Sequence, residues 1–317
     1  MNILFTNAGR RSYLIEDALR LKRNYDNLGD IYVSDTSVMT ASMWVSEDIK
    51  KIITPRVIDN PDKYLEILLN KSLKHNIDVI FPLMDFELPV LSENKGKFQK
   101  NGIKVIISDS KVIKSSLNKK RCYNVCNNNN IKTPKTWYEG EALDKSMMPF
   151  VMKKKRGSGS AGMRIINESD KIPNVVPDQY IVQKFIEGQE YGMDVLNTTN
   201  GEFLHCCVRR KALMRAGETD KAEVIYNDNF FEAGKKIGRA FGHKGNMDID
   251  FIVDKDGNMK FIDFNPRFGG GYPFTKAAGF DYLRAMIENI QGNDVSFDRV
   301  GKKVAGAKGL KVFTYEK

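Results

Sequence analysis

Residues 246–271 read NMDIDFIVDKDGNMKFIDFNPRFGGG. Asp256-Gly257 is a strong two-residue hairpin-turn signal. With those two residues in the turn, Lys255 faces Asn258. Counting outward sets Asp250 opposite Asp263 and Asp248 opposite Asn265. Alternate side chains of a strand share a face, so these four project together. The other face carries Ile249, Phe251, Val253, Ile262 and Phe264, an apolar set that only Lys260 interrupts near the turn. Two carboxylates directly opposite each other repel, and a cation relieves that repulsion. Oxygen donors without a nearby Cys favour Mg²⁺ over Zn²⁺. The alternation also suits a hairpin facing solvent. The metal reading is preferred because Asn265-Pro266-Arg267 and three glycines follow at once. Arg267 can clamp a phosphate whose charge the metal also offsets. Asp250, Asp263 and Asn265 are the expected metal ligands.

The chain has 317 residues, enough for two or three domains with substantial cores. No apolar run approaches a membrane span. The opening MNILFTNAGRRS reads as a buried strand and not as a signal peptide, so a cytoplasmic location is expected. Four cysteines without a CxxC pair and three histidines argue against zinc and against a disulfide framework. The net charge of +10 comes from scattered lysines with little aromatic interleaving. That pattern points to anionic small ligands ahead of nucleic acid.

Apolar runs at residues 2–6, 31–34, 79–82 and 104–107 alternate with helical patterns. This predicts a parallel α/β domain over residues 1–110. Residues 111–127 read as helical. Short strands follow at 150–153, 163–166 and 180–183, then a hairpin around Thr199-Asn200-Gly201 and helices over 230–241 and 282–290. The second half is therefore α+β with antiparallel strands, divided here into 111–183 and 184–317.

Two glycine-bearing turns compete for phosphate. Asn7-Ala8-Gly9-Arg10-Arg11-Ser12 joins a strand to a helix, whose N-terminus suits an anion, although a plain connection explains it equally well. Residues 156–162, RGSGSAG, match the letters of a dinucleotide loop, but a strand follows them and not a helix. Such a loop inside a hairpin can fold over a triphosphate with Gly157, Ser158, Gly159, Ser160 and Gly162, and Lys153 adds a point charge. A flexible surface hairpin is the alternative. Gln183, Lys184, Phe185 and Ile186 suit a linker that bonds an adenine edge through its backbone. Glu190 and Asp194 just beyond could hold ribose or assist the metal, or be solvated strand carboxylates. Arg209-Arg210-Lys211 and Arg215 could receive a carboxylate or phosphate, or form a solvated face. Asp35, Asp85 and Glu87 follow strand ends, where open α/β sheets receive ligands.

The order of these elements resembles the ATP-grasp superfamily, and within it single-module proteins related to the carbamoyl phosphate synthase large subunit. The similarity spans nearly the whole chain. Lys119 matches the opening lysine, Lys153 the second ATP lysine, Gly157 to Gly162 the glycine-rich loop, and Gln183 to Glu190 the hinge. Asp263-Phe264-Asn265-Pro266-Arg267 matches a Glu-x-Asn-Pro-Arg signature, with Asp in place of Glu, and Asp250 matches its partner ligand. The resemblance implies an α/β N-terminal domain followed by an α+β ATP-grasp domain of two subdomains. It implies ATP with Mg²⁺, or Mn²⁺ in its place, and small-molecule carboxylate and amine substrates. The implied activity is a carbon–nitrogen ligase working through an acyl-phosphate, with Lys153 and Arg267 as catalytic residues. A carbamoyl phosphate synthase-like module and a non-catalytic nucleotide-binding regulator are the alternatives. A homo-oligomer is compatible with the sequence, which leaves oligomeric state and substrate identity open.

Overall fold

The computed structural model describes residues 1–157, 162–167, 170 and 173–314. The first unit builds a five-stranded parallel sheet from β1 (Ile3–Thr6), β2 (Ile31–Asp35), β3 (Lys50–Ile53), β4 (Val79–Pro82) and β5 (Lys104–Val105). Helices α1 (Ser12–Asn24), α2 (Pro61–Lys74) and α3 (Leu88–Gln99) connect them. The strand order is β3-β2-β1-β4-β5. The chain therefore reverses its direction of growth between β1 and β4, where ligands of open α/β sheets bind. Strand alternation divides the core. Leu4 and Ile80 pack with Tyr64, Leu68 and Leu91 of α2 and α3 on one face. Ile3, Phe5 and Phe81 pack on the other with Leu14 and Ala18 of α1.

That second core continues into Tyr272, Leu283 and Met286 from the far end of the chain. They lie on α7 (Tyr272–Ala277) and α8 (Tyr282–Ile290). The proposed boundary near residue 110 thus separates the sheets, while the apolar packing crosses it.

Residues 111–127 do not form one helix. The structure has α4 (Ser110–Ser116) and α5 (Lys119–Asn128), because Asn118 starts a new helix and its side chain accepts the Arg121 N–H. A small antiparallel sheet follows, with β6 (Thr136–Trp137), β7 (Phe150–Lys154), β8 (Arg164–Ile166) and β9 (Tyr180–Lys184) in the order β6-β9-β7-β8. The large sheet contains β10 (Gly188–Asn197), β11 (Phe203–Arg215), β12 (Glu218–Ile225), β13 (Gly245–Asp254), β14 (Met259–Asn265) and β15 (Ala305–Ala307). Its order is β14-β13-β10-β11-β12-β15. One face packs on α5 and on α6 (Asp228–Phe241), joining Cys122, Cys126, Ile237 and Phe241 to Ile249, Phe251, Phe261 and Phe264. Each such large apolar side chain contributes roughly 1.5–3 kcal/mol on burial. The opposite face is polar and forms one wall of a cleft.

The β13–β14 hairpin differs from its expected turn. Asp254 and Asn258 pair through the backbone, so the loop has three residues, with Gly257 at φ +78°. A bulge then places one extra residue on β14 between the pairs Asp250–Asp263 and Phe251–Phe261. The two departures cancel. Asp250 faces Asp263 and Asp248 faces Asn265 as counted. The correction falls on the apolar face, where Phe261 enters the core and Ile262 turns to the cleft.

Candidate active site

The cleft has a volume of about 820 Å³ and lies between the two antiparallel sheets and the first unit. Lys119, Lys153, Gly157, Gln183, Lys184, Phe185, Ile186, Glu190, Asp250, Asp263, Asn265 and Arg267 all line it. Residues far apart in sequence therefore converge on one space. Gly162 lies at the end of the glycine-rich segment with φ +76°. Ser158, Gly159 and Ser160 lie outside the described residues.

The lysine side of the cleft is built on the bulge. The Ile262 carbonyl accepts from Lys153 Nζ at 3.2 Å and from the Tyr123 hydroxyl at 2.8 Å. Burial, and then the nearby Lys119, push the Lys153 ammonium down to about 8. Lys119 Nζ lies 3.1 Å from Asp263 Oδ1. Burial disfavours the Asp263 carboxylate, but Lys119, Lys153 and Arg267 outweigh it and hold its pKa below the ordinary value.

Across the face, Lys211 Nζ stands 2.7 Å from both Glu190 Oε1 and Asp250 Oδ1. Burial pushes the Asp250 carboxyl up to about 6, and Asp248 and Glu190 add to the shift against the opposing pull of Lys211. Two carboxylates thus share one ammonium, and a cation beside Asp250 would stabilise its ionised form against burial. Among the described residues, no three His, Cys, Asp or Glu side chains form a ready metal cage. The donor set is two carboxylates and one amide, which fits Mg²⁺ because that ion takes few protein ligands and completes its shell with phosphate and water.

A buried ion-pair chain runs beneath. Arg209 is 1% exposed and lies 2.6 Å from both Asp194 and Asp248. Asp194 also accepts from Thr275 at 2.6 Å and Asn246 at 3.1 Å. Asp194 is therefore framework, and neither the ribose nor the metal role fits it. Arg267 donates through Nε and Nη2 to the two oxygens of Asp85, each at 3.0 Å, and lies 3.4 Å from Asp248. Burial works against the Arg267 charge, but Asp85 and Asp248 outweigh it and hold its pKa above the ordinary value.

The glycine run makes this chain fit. A Cβ at Gly269 would stand 2.0 Å from Asp248 Cγ, and one at Gly271 would stand 1.9 Å from Arg209 Nε. Neither side chain could hold its place beside an alanine there.

Of the basic cluster, Arg209 and Lys211 point to the cleft side, whereas Arg210 is exposed and pairs with Glu223 at 2.6 Å. The period of two in β11 explains the division. Gln183 is 2% exposed, and its amide donates to Thr136 Oγ1 at 2.9 Å. The Lys184 and Phe185 amides are bonded to the Lys135 and Pro149 carbonyls. Those groups shape the hinge and are not free for a base. Of the three acids after strand ends, only Asp85 lines the cleft. Glu87 is fully buried and accepts from Asn7, Tyr64 and the Leu83 and Met84 amides. Asp35 accepts from the Gly9 amide.

All four cysteines are buried and unpaired by disulfides. His205 and His243 are buried, which pushes each down to about 4, away from the cleft lining. Among the described residues no helix is long and apolar enough to cross a membrane.

Residues 116–271 match the model of an ATP-grasp domain, and residues 3–106 match that of a PylC-like N-terminal domain. Pyruvate carboxylase from Pichia angusta is 23% identical over 262 residues, covering 72% of this chain. The chain spans only 22% of that protein's length. A biotin carboxylase–βγ-ATP complex from Campylobacter jejuni superposes with a TM-score of 0.77 at 16% identity, over 95% of this chain and 73% of that one. An L-amino acid ligase from Bacillus licheniformis gives 0.70 at 16% identity, over 91% and 73%. At these identities the structures establish the fold. The chain thus carries an ATP-grasp domain over residues 116–271 behind a PylC-like N-terminal domain over residues 3–106.

Proposed function

We propose that this protein is an ATP- and Mg²⁺-dependent ligase that joins a small carboxylic acid to an amine. The observation that carries the reading is the convergence of Lys119, Lys153 and Arg267 with Asp250, Asp263 and Asn265 on one cleft. The cations suit the phosphates of a nucleotide, and the oxygen donors suit the metal that accompanies it. The names of similar proteins, an L-amino acid ligase and biotin carboxylases, support the same class of chemistry.

In this reading Asp250, Asp263 and Asn265 would hold Mg²⁺, or Mn²⁺ in its place, which would supply positive charge to offset that of the nucleotide's phosphates. Lys119 and Lys153 approach from α5 and β7, while Arg267 faces the acid side through its contact with Asp85. The acid's carboxylate oxygen attacks the γ-phosphorus, the bond to ADP breaks, and an acyl-phosphate forms. The amine nitrogen then attacks the acyl carbon. Phosphate leaves, and the nitrogen gives up a proton. The residues position and neutralise, and no enzyme nucleophile is required.

Thermal unfolding with a non-hydrolysable ATP analogue tests the first half. Ligand binding to the folded state raises the midpoint. The expected result is a Mg²⁺-dependent rise in wild type that disappears in Asp263→Ala. No rise in wild type at saturating nucleotide would sink the ligase reading. Phosphate release that needs both an acid and an amine tests the second half and separates a ligase from a nucleotide-binding regulator.

A further inference from the structure

We propose that Arg11 anchors the carboxylate of the acid substrate at the end of the cleft formed by the parallel sheet, an inference that rests on the ligase reading above. Among the described residues, Arg11 and Arg209 are buried beside the cleft and Arg267 is largely covered. Arg209 and Arg267 are neutralised by Asp194, Asp248 and Asp85. Arg11 is 8% exposed, and among the described residues no carboxylate stands within ion-pair distance of it. Its contacts are weak ones for a guanidinium. Nε donates to the Phe268 carbonyl at 3.3 Å, and Nη1 lies 2.9 Å from the Met84 sulfur.

The acids that could serve it are engaged elsewhere. Both oxygens of Asp85 are held by Arg267. Glu218 is shared between Lys308 at 3.3 Å and Arg10 at 3.6 Å. Burial, and after it the like charge of Arg267, lower the Arg11 pKa. A guanidinium keeps its proton at any ordinary pH, so the cost of burying the charge remains until an anion arrives.

The position suits such an anion. Arg11 lines the cleft together with Gly9, Arg10, Met84 and Asp85, which follow β1 and β4. That is the reversal point of the strand order, where open α/β sheets receive ligands. Lys119 and Lys153 serve the small-sheet side. An acid at Arg11 would therefore meet a planar fork of donors matched to its two oxygens, with Arg267 as its neighbour.

The test is calorimetric titration of two- to six-carbon mono- and dicarboxylic acids into wild type, Arg11→Met and Arg11→Lys. Each titration is run with and without the Mg²⁺-bound ATP analogue. At least one acid is expected to bind wild type. Its affinity should fall about 30-fold in Arg11→Met and about tenfold in Arg11→Lys, the scale of a lost charge-assisted pair. Affinity for the ATP analogue should change less than twofold, which also shows that the variants fold. Equal acid affinity in all three proteins overturns the assignment, as does the failure of every acid to bind wild type. Failure of the nucleotide alone to bind wild type overturns the ligase reading instead, while the nucleotide-free titrations still decide the role of Arg11.

Discussion

The two walls of the cleft hold charge in opposite states. On the large-sheet wall each buried cation lies against carboxylates: Arg209 touches Asp194 and Asp248 at 2.6 Å, and Lys211 touches Glu190 and Asp250 at 2.7 Å. On the small-sheet wall Lys153, among the described residues, bonds only to the Ile262 carbonyl and stands near another lysine. A paired wall keeps its geometry without a ligand. An under-neutralised wall gains most when an anion enters. The contrast divides the site into a framework and a receiver, and it yields separate expectations for stability and for binding.

The largest effect belongs to the framework. Arg209→Met leaves Asp194 buried without its counter-ion and should cost about 3–5 kcal/mol of unfolding free energy. Urea denaturation reads this directly, and a loss below about 1 kcal/mol would erase the distinction between the walls. Lys153→Met should do the reverse. Nucleotide affinity should drop about 30-fold, or roughly 2 kcal/mol, with stability within about 0.5 kcal/mol of wild type. A variant that instead unfolds easily while binding nucleotide normally would place Lys153 in the framework.

The smallest effect sharpens the contrast through pH. The Asp250 carboxyl is raised to about 6 in the folded protein, so the folded state binds a proton that the unfolded state releases near pH 4. Its contribution to stability is therefore fullest at low pH and is lost as pH rises from about 4 to 6. Relative to Asp250→Asn, wild type should lose on the order of 1 kcal/mol across that window. A difference that stays flat from pH 4 to 7 would remove the idea that burial and the neighbouring carboxylates disfavour the ionised form at this position.

Much of the fold was legible because its signals are periodic. The strands at 31–35 and 79–82 and the helix at 282–290 follow from apolar spacing. β3 was missed because Lys50-Lys51 opens it, and charge on an edge strand hides an otherwise ordinary signal. β12 and β15 lacked any clean alternation in the sequence. In the site, Asp250 and Asp263 could be set face to face by counting along a hairpin. Asp85 and Asp194 could be named as candidates, but their partners Arg267 and Arg209, and any role for Arg11, could not be read, since the pairing joins distant segments and no local pattern records it. Glu87 resembled a site acid in its position after β4. Its fate was decided by Tyr64 and Asn7, which supply donors inside the core. The Arg209 charge lies over Gly192, where a Cβ would come within 2.9 Å of the guanidinium.

The bulge at Ile262 behaves as a slip joint. Asp263 and Asn265 are fixed by pairing with Asp250 and Asp248, while the strand ends beyond the bulge keep a register of their own. The extra residue offsets the three-residue turn, so the carboxylates meet in the register that a two-residue turn would give. The same irregularity presents the carbonyl that steadies Lys153.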